Sequence, residues 1–156
     1  MRTSADLSDA IRGLVERGRE AWERRDYDQA RGLLSTALER SVADGDTFGQ
    51  MAAHHFLGNV AFNECRDEES RAHHLAALAL AEADGDPQGV ATSLGSLGLV
   101  EVVAGDSVAA EAAYDRCVAA YVEAGMPDAA ERARQTAHQL VVERVPVETL
   151  VHRRPS

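Results

Sequence analysis

Two series of glycines recur along the chain at one interval, and this repeat constrains the fold more than any other feature of the sequence. Within each series the glycines lie forty residues apart, and their neighbours recur with them. The tetrapeptide Ala-Asp-Gly-Asp at residues 43–46 returns at residues 83–86. A fixed period of this length is typical of arrays in which one supersecondary unit stacks on the next. The two series are Gly18, Gly58 and Gly98, and Gly45, Gly85 and Gly125.

The two glycine series have different structural meanings. Gly45, Gly85 and Gly125 each follow an apolar segment of helical period, where a helix ends by turning left-handed. The other series falls in mid-helix, where glycine costs about 1 kcal/mol relative to alanine, so we expect a second helix to approach closely there. Aspartates at the turns, among them Asp26 and Asp106, are expected N-caps. The sequence therefore predicts seven helices, at residues 5–24, 27–44, 47–64, 67–84, 87–104, 107–124 and 127–144.

Composition supports an all-α class. Hydrophobic residues make up 45% of the chain and aromatic residues only 4%, so alanine, leucine and valine must build the core. Such small side chains suit closely packed helices better than a β-sandwich or barrel. We expect an all-α, right-handed helical-repeat solenoid of three helix-turn-helix pairs with a C-terminal capping helix. A terminal cap of such an array needs a polar outer surface, and the last helix has one.

Charge and residue usage exclude several function classes. The net charge is −10, which disfavours binding to nucleic acid. All sixteen cations are arginine, so no lysine can form a Schiff base or a phosphate-loop contact. Two cysteines, no leader-like apolar stretch and no membrane-length run indicate a cytoplasmic protein without membrane contact. The absence of lysine, with the richness in alanine, arginine, valine, glycine and aspartate, indicates a GC-rich bacterial genome. No nucleophile elbow or phosphate loop appears, so we expect neither catalysis nor a cofactor.

The repeat resembles the tetratricopeptide repeat (TPR) family. The family pattern W-x2-L-G-x2-Y is followed on the second helix by A-x3-F. Here the second copy is His54-x2-Leu57-Gly58-x2-Ala61, with Ser70-x3-His74 on the next helix. The forty-residue period resembles the lengthened variant in adaptors of the LGN and kinesin light chain type and in bacterial regulators. The resemblance implies a repeat domain over residues 1–145, with repeats at about 5–44, 47–84 and 87–124, a cap at 127–144 and a tail at 146–156.

In this family the ligand surface is the concave face lined by the first helix of each pair. The resemblance implies a non-catalytic adaptor or scaffold that binds a protein or peptide there, steered by arginines at the rim. Asparagine on this face can bond the backbone of a bound segment, and an aromatic residue can anchor it. An alternative for Trp22 and Phe62 is ordinary packing between repeats. The implied lining residues are Arg12, Arg19, Trp22, His55, Asn59, Phe62, Asn63, Leu99, Val102, Arg132, Gln135 and Gln139.

Two other functions stay open on the sequence. Four of the six histidines lie in the second repeat as His54-His55 and His73-His74, and Glu69 is one helical turn before His73. His54 and His74 occupy slots that face each other in the family, which suggests a metal site or an enzyme. The alternative is that His54 and His74 replace family aromatics in the core, while the two histidines between them stay exposed. The remaining alternative is a sensory protein that acts on a transcription regulator, and self-association through the first helix also stays open.

Overall fold

The computed structural model describes the backbone of residues 4–155 and the side chains of residues 8–155, so the predicted domain's residues 1–3 and the last residue of its tail lie outside it. Seven α-helices follow one another in this part of the chain, and it contains no β-strand. The first six begin and end within one residue of the predicted bounds. The seven helices are α1 (Ser4–Glu23), α2 (Tyr27–Asp44), α3 (Thr47–Asn63), α4 (Asp67–Asp84), α5 (Pro87–Ala104), α6 (Ser107–Glu123) and α7 (Pro127–Ala137).

Local chemistry at the turns separates the helices. Gly45 and Gly85 end α2 and α4 in the left-handed conformation, with φ of 68° and 65°. The next residue, Asp46 or Asp86, accepts a hydrogen bond at its side chain from the backbone N–H three positions later. Each helix pair is therefore linked to the next by a tight turn, as the sequence predicts.

The turn inside each pair uses the same geometry with different residues. Arg25, Cys65 and Gly105 lie forty residues apart and have φ of 63°, 60° and 79°. Only the third is glycine, so the first two carry the steric cost of a side chain in the left-handed region. Asp26 caps α2, as expected, by accepting a hydrogen bond from the Gln29 N–H, and the Gln29 side chain accepts one from Arg24.

The mid-helix glycines mark where paired helices cross closely, and the structure confirms this prediction. A Cβ on Gly58 would lie 2.6 Å from Cε1 of His74, whose ring packs against the glycine. Gly18 meets Leu34 in the same way, and Gly98 meets Tyr114. One side chain of the second helix therefore fills each glycine gap, and its identity differs between the repeats.

Stacking of the pairs makes a continuous core. Each helix packs on the next, and the first helices also contact one another, α1 with α3 and α3 with α5. The buried residues are mostly alanine, leucine and valine, as composition requires. The fold is an all-α helical-repeat solenoid, in which α7 buries Ala129, Ala130 and Ala133 and exposes a polar outer surface.

The capping helix is shorter than predicted. It was expected to run to residue 144, but α7 ends at Ala137 and a π-helical turn follows at His138–Val142. The wider turn keeps Leu140 in a buried cluster with Phe62, Val100 and Tyr114, where it is 4% exposed. Arg144, two residues before Pro146, then takes a left-handed φ of 57°, and the helix ends there.

Residues 146–155, here called the tail, return across the array. A short 3₁₀ turn at Val147–Thr149 places the Val147 side chain, 5% exposed, in the cluster around Leu140. The non-helical residues that follow reach the C-terminal end of α3. The tail therefore spans the ends of several helices.

Candidate binding site

The first helices of the three pairs lie side by side and form one surface, which we call the first-helix face. Most of the binding residues expected from the sequence lie on α1, α3 and α5, the helices that form it. The face has two parts. One lies at the C-terminal ends of the first helices and holds the tail, and the other lies nearer their N-terminal ends and is open.

Asn63 is the centre of the part that holds the tail. Its side-chain Oδ1 accepts a hydrogen bond from the indole Nε1 of Trp22 at 2.6 Å, which fixes the amide's orientation. Its Nδ2 donates to the main-chain oxygen of His152, and its own carbonyl accepts from the Arg154 N–H at 2.6 Å. One asparagine thus binds the main chain of a non-helical segment on both sides of Arg153, although 89 positions separate Asn63 from His152.

Arg153 is held on three sides. Its guanidinium carbon lies 4.3 Å from the centre of the Phe62 ring, and its Nε donates to the Phe62 carbonyl at 3.1 Å. Its terminal nitrogen forms an ion pair with Asp67, in the first turn of α4. The arginine side chain is only 6% exposed. A charged side chain is buried to this degree only when its surroundings replace the lost water, as this set of partners does.

The His152 ring connects the tail to the first repeat. Its Nδ1 lies 3.0 Å from the hydroxyl of Tyr27, at the start of α2. Desolvation lowers the pKa of His152, as do the nearby charges of Arg25 and Arg154. Desolvation raises the pKa of Tyr27. Both groups are therefore uncharged near neutral pH and can share one hydrogen bond.

The open part of the first-helix face is apolar. A cavity of about 430 Å³ lies between α3 and α5, and Phe48, Met51 and Phe56 are among its lining residues. A second cavity of about 280 Å³ lies between α1 and α3, and Phe48 lines this one as well. The Phe48 side chain is 71% exposed. A large aromatic side chain exposed between two cavities suits contact with another molecule better than a solvated surface.

The other expected binding residues lie in separate places. Arg12 pairs with Asp9, and Arg19 pairs with Glu16 and Glu23, all on α1. Leu99 and Val102 pack against the cluster that includes Phe62 and Val147. Leu99 and Arg132 also line a cavity of about 310 Å³ between α5 and α7, whereas Gln135 and Gln139 line a different one. The structure therefore brings Trp22, Phe62, Asn63 and Val102 together around the tail, and it does not bring the glutamines there.

The four histidines of the second repeat form two pairs. His54 Nδ1 lies 2.9 Å from His73 Nδ1, and the rings of His55 and His74 are centred 5.9 Å apart. The expectation that His54 faces His74 is wrong, because the crossing of α3 and α4 brings His54 to His73 instead. The alternative that leaves His55 and His73 exposed is also wrong, since both are partly buried. Asn59 contacts His55 Nε2 at 3.3 Å and lies one helical turn before Asn63.

A metal centre does not assemble around these histidines. Among the described side chains, no three histidine, cysteine, aspartate or glutamate residues converge in a way that could hold a metal ion. Glu69 pairs with Arg31 at 3.0 Å. Burial lowers the pKa of His55 to about 4, and burial with the neighbouring His55 and His73 lowers the pKa of His74 to about 3. The central pair is therefore neutral and packed within the array.

Sequence reasoning did not find the residues that complete the site. Phe48 and Met51 extend the first-helix face beyond the usual family motif, and the longer period was the signal that could have found them. Asp67 and Tyr27 lie at the starts of second helices, outside the family's lining positions. His152 and Arg153 had no local signal, because only the path of the tail brings them to the face.

Comparison with known proteins agrees with this architecture. The sequence model of the tetratricopeptide repeat matches residues 49–123, which span most of the second and third helix pairs. This is a tetratricopeptide repeat protein. The chain matches no curated protein and no solved structure. Its membership supports a role in protein interaction in general, since TPR arrays are typically non-catalytic binding modules.

In the described part of this TPR protein, none of the helices combines the length and the apolar character needed to cross a membrane.

Proposed function

We propose that this TPR array is a non-catalytic adaptor, which binds a segment of a partner protein on its first-helix face. The observation that carries the proposal is the manner in which the face binds residues 152–154. An asparagine there bonds the main chain on both sides of one residue, and main-chain bonds are available from any partner sequence.

The open part of the face supplies the apolar contact such an adaptor needs. Phe48 and Phe56 lie beside cavities that can accept side chains of a partner. Aromatic residues that anchor a partner in this way usually carry a large share of the binding free energy. We therefore place the first contact with a partner protein on α3, between Phe48 and Phe56.

The proposal is tested by selecting peptides from a random phage-displayed library with the full chain. A selected peptide is then titrated into ¹⁵N-labelled protein. We expect its amide shift changes on α1, α3 and α5, and we expect Phe48→Ser to weaken binding roughly tenfold or more, because an aromatic anchor is lost.

Val108→Ser is the matched control. Val108 is also apolar and 80% exposed, but it lies on α6, a second helix. The substitution should leave the affinity unchanged. Shift changes confined to second helices, or equal weakening by both substitutions, would remove the first-helix face as the binding surface.

A further inference from the structure

The tail contacts the array at two places, and the residues between them are exposed. Val147 is buried with Leu140, and the second attachment runs from Val151 to the main chain of Arg154. Between them, Glu148, Thr149 and Leu150 are exposed, and the Leu150 side chain is 45% exposed. The second attachment can therefore come away from the face without moving the helices.

The array supplies every group that receives Arg153. The Phe62 ring and carbonyl belong to α3, and the Asp67 carboxylate belongs to α4. Asn63, which receives the neighbouring main chain, also accepts a hydrogen bond from Trp22 of the array. We call the set Phe62, Asn63 and Asp67 the arginine cradle.

The cradle is specific for arginine. A planar guanidinium can stack on a ring and donate at its edge to a carbonyl and a carboxylate at the same time. A lysine ammonium is a compact point charge and cannot match the three groups together. A neutral side chain would leave Asp67 without its ion pair and would add no cation over the ring.

We propose that the arginine cradle recognises an arginine-bearing, non-helical segment of a partner protein, and that the chain's own tail occupies the cradle until that segment displaces it. This inference rests on the proposed function and adds the chemistry of the ligand and a form of self-inhibition. The partner segment resembles residues 151–154, with an apolar residue two positions before the arginine. The chain's net charge of −10 favours approach of such a basic segment.

Tethering explains how so few contacts keep the tail in place. A segment joined by a short linker experiences an effective concentration on the order of millimolar, so a weak contact suffices to fill the cradle. A free segment of the same composition competes against that concentration. Its apparent affinity is the intrinsic affinity multiplied by the fraction of molecules whose cradle is empty, and any change that releases the tail restores the intrinsic affinity.

The test uses the full chain with Arg153→Gln and a synthetic peptide of residues 145–156. Trp22 is the only tryptophan and donates to Asn63 beside the tail, so its emission reports cradle occupancy. We expect R153Q to change that emission, and the peptide added in trans to restore the wild-type spectrum. We also expect the labelled peptide to bind R153Q at least tenfold more tightly than the wild-type chain.

Arg154→Gln is the matched control, because Arg154 has the same charge but its main chain makes the contact with the array. It should keep the wild-type emission and the weak peptide binding. A peptide with glutamine in place of Arg153 should bind R153Q at least tenfold more weakly than the native peptide. If R153Q does not fold, as judged by circular dichroism, the two peptides are compared on the wild-type chain, where the same order is expected.

Three outcomes would overturn the inference. The first is equal affinity of R153Q and the wild-type chain for the peptide, and the second is equal affinity of R153Q for the arginine and glutamine peptides. The third is a wild-type dimer that R153Q converts to a monomer, which would place the tail on a second copy. Library peptides that bind the first-helix face through Phe48, while the tail peptide fails to restore Trp22 emission, would refute this inference and leave the proposed function intact.

Discussion

Acid should lower the free energy of unfolding of this protein through its central histidine pair, His55 and His74. Substituting His74 with leucine should remove a defined share of that decrease. His74 is 1% exposed and packs against Gly58, and among the described residues none forms a hydrogen bond with its Nδ1. Burial, with His55 and His73 nearby, lowers its pKa from the ordinary 6.5 to about 3. Leucine is the chain's own solution at this place, because Leu34 fills the equivalent gap at Gly18.

The direction and size of this change in the free energy of unfolding follow from proton binding. Above pH 6.5 both the folded and the unfolded chain carry a neutral His74, so the shifted pKa has no effect on stability. Below it, the unfolded chain binds a proton that the folded chain refuses, and the free energy of unfolding falls. About pH 5 is roughly 1.5 units below the pKa of His74 in the unfolded chain, which corresponds to a decrease of about 2 kcal/mol in the free energy of unfolding. By the same reasoning, His55 lowers the free energy of unfolding by about 2 kcal/mol more at this pH.

The assay is urea unfolding followed by circular dichroism, at about pH 7.5 and about pH 5. We expect H74L to lose about 2 kcal/mol less than the wild-type chain between the two conditions. At the higher pH its stability should equal or exceed that of the wild type, because a buried unpartnered nitrogen is removed. His138→Gln, at a side chain that is 60% exposed, is the control and should keep the full loss. An H74L protein with the wild-type acid sensitivity would refute the assignment.

Four further substitutions test the packing. Gly58→Ala should lower the free energy of unfolding by about 1–3 kcal/mol, because the new Cβ meets the His74 ring. Gly32→Ala should raise it by up to about 1 kcal/mol, because no described atom lies within 4 Å of the new Cβ. Equal effects of the two substitutions in urea unfolding would contradict this. Cys65→Gly should raise it by about 1 kcal/mol by relieving a left-handed φ of 60°, and no change in the melting curve would argue against strain there. Asn63→Ala should lower it by about 2 kcal/mol and change Trp22 emission, and an unaltered spectrum would contradict the indole hydrogen bond.

Local chemistry allowed most of the helical architecture to be predicted from the sequence. A glycine that must turn left-handed, followed by an aspartate that caps the next helix, ends one element and starts another within a few residues. These signals involve neighbours in the chain, so their spacing alone located six helices within one residue of their observed ends. The last helix differed because Leu140 is held by a distant cluster, which favours a π-helical turn over a regular end.

The histidine pairs depended on geometry that the sequence does not contain. Adjacent residues on a helix point about 100° apart, so His54 and His55 must face different directions. Which of them meets which residue of α4 depends on how the two helices cross, and the crossing at Gly58 brings His54 to His73.

The repeat itself was determined by the sequence, because its period records which residues must turn, cap or yield space to a neighbouring helix. Asn63 could also be expected on the binding face, since its position in the repeat specifies the side of the helix on which it lies. Only the tertiary structure decided what it binds. The tail reaches Asn63 from 89 positions away, and a contact between such distant residues depends on the path of the folded chain and leaves no periodic trace in the sequence.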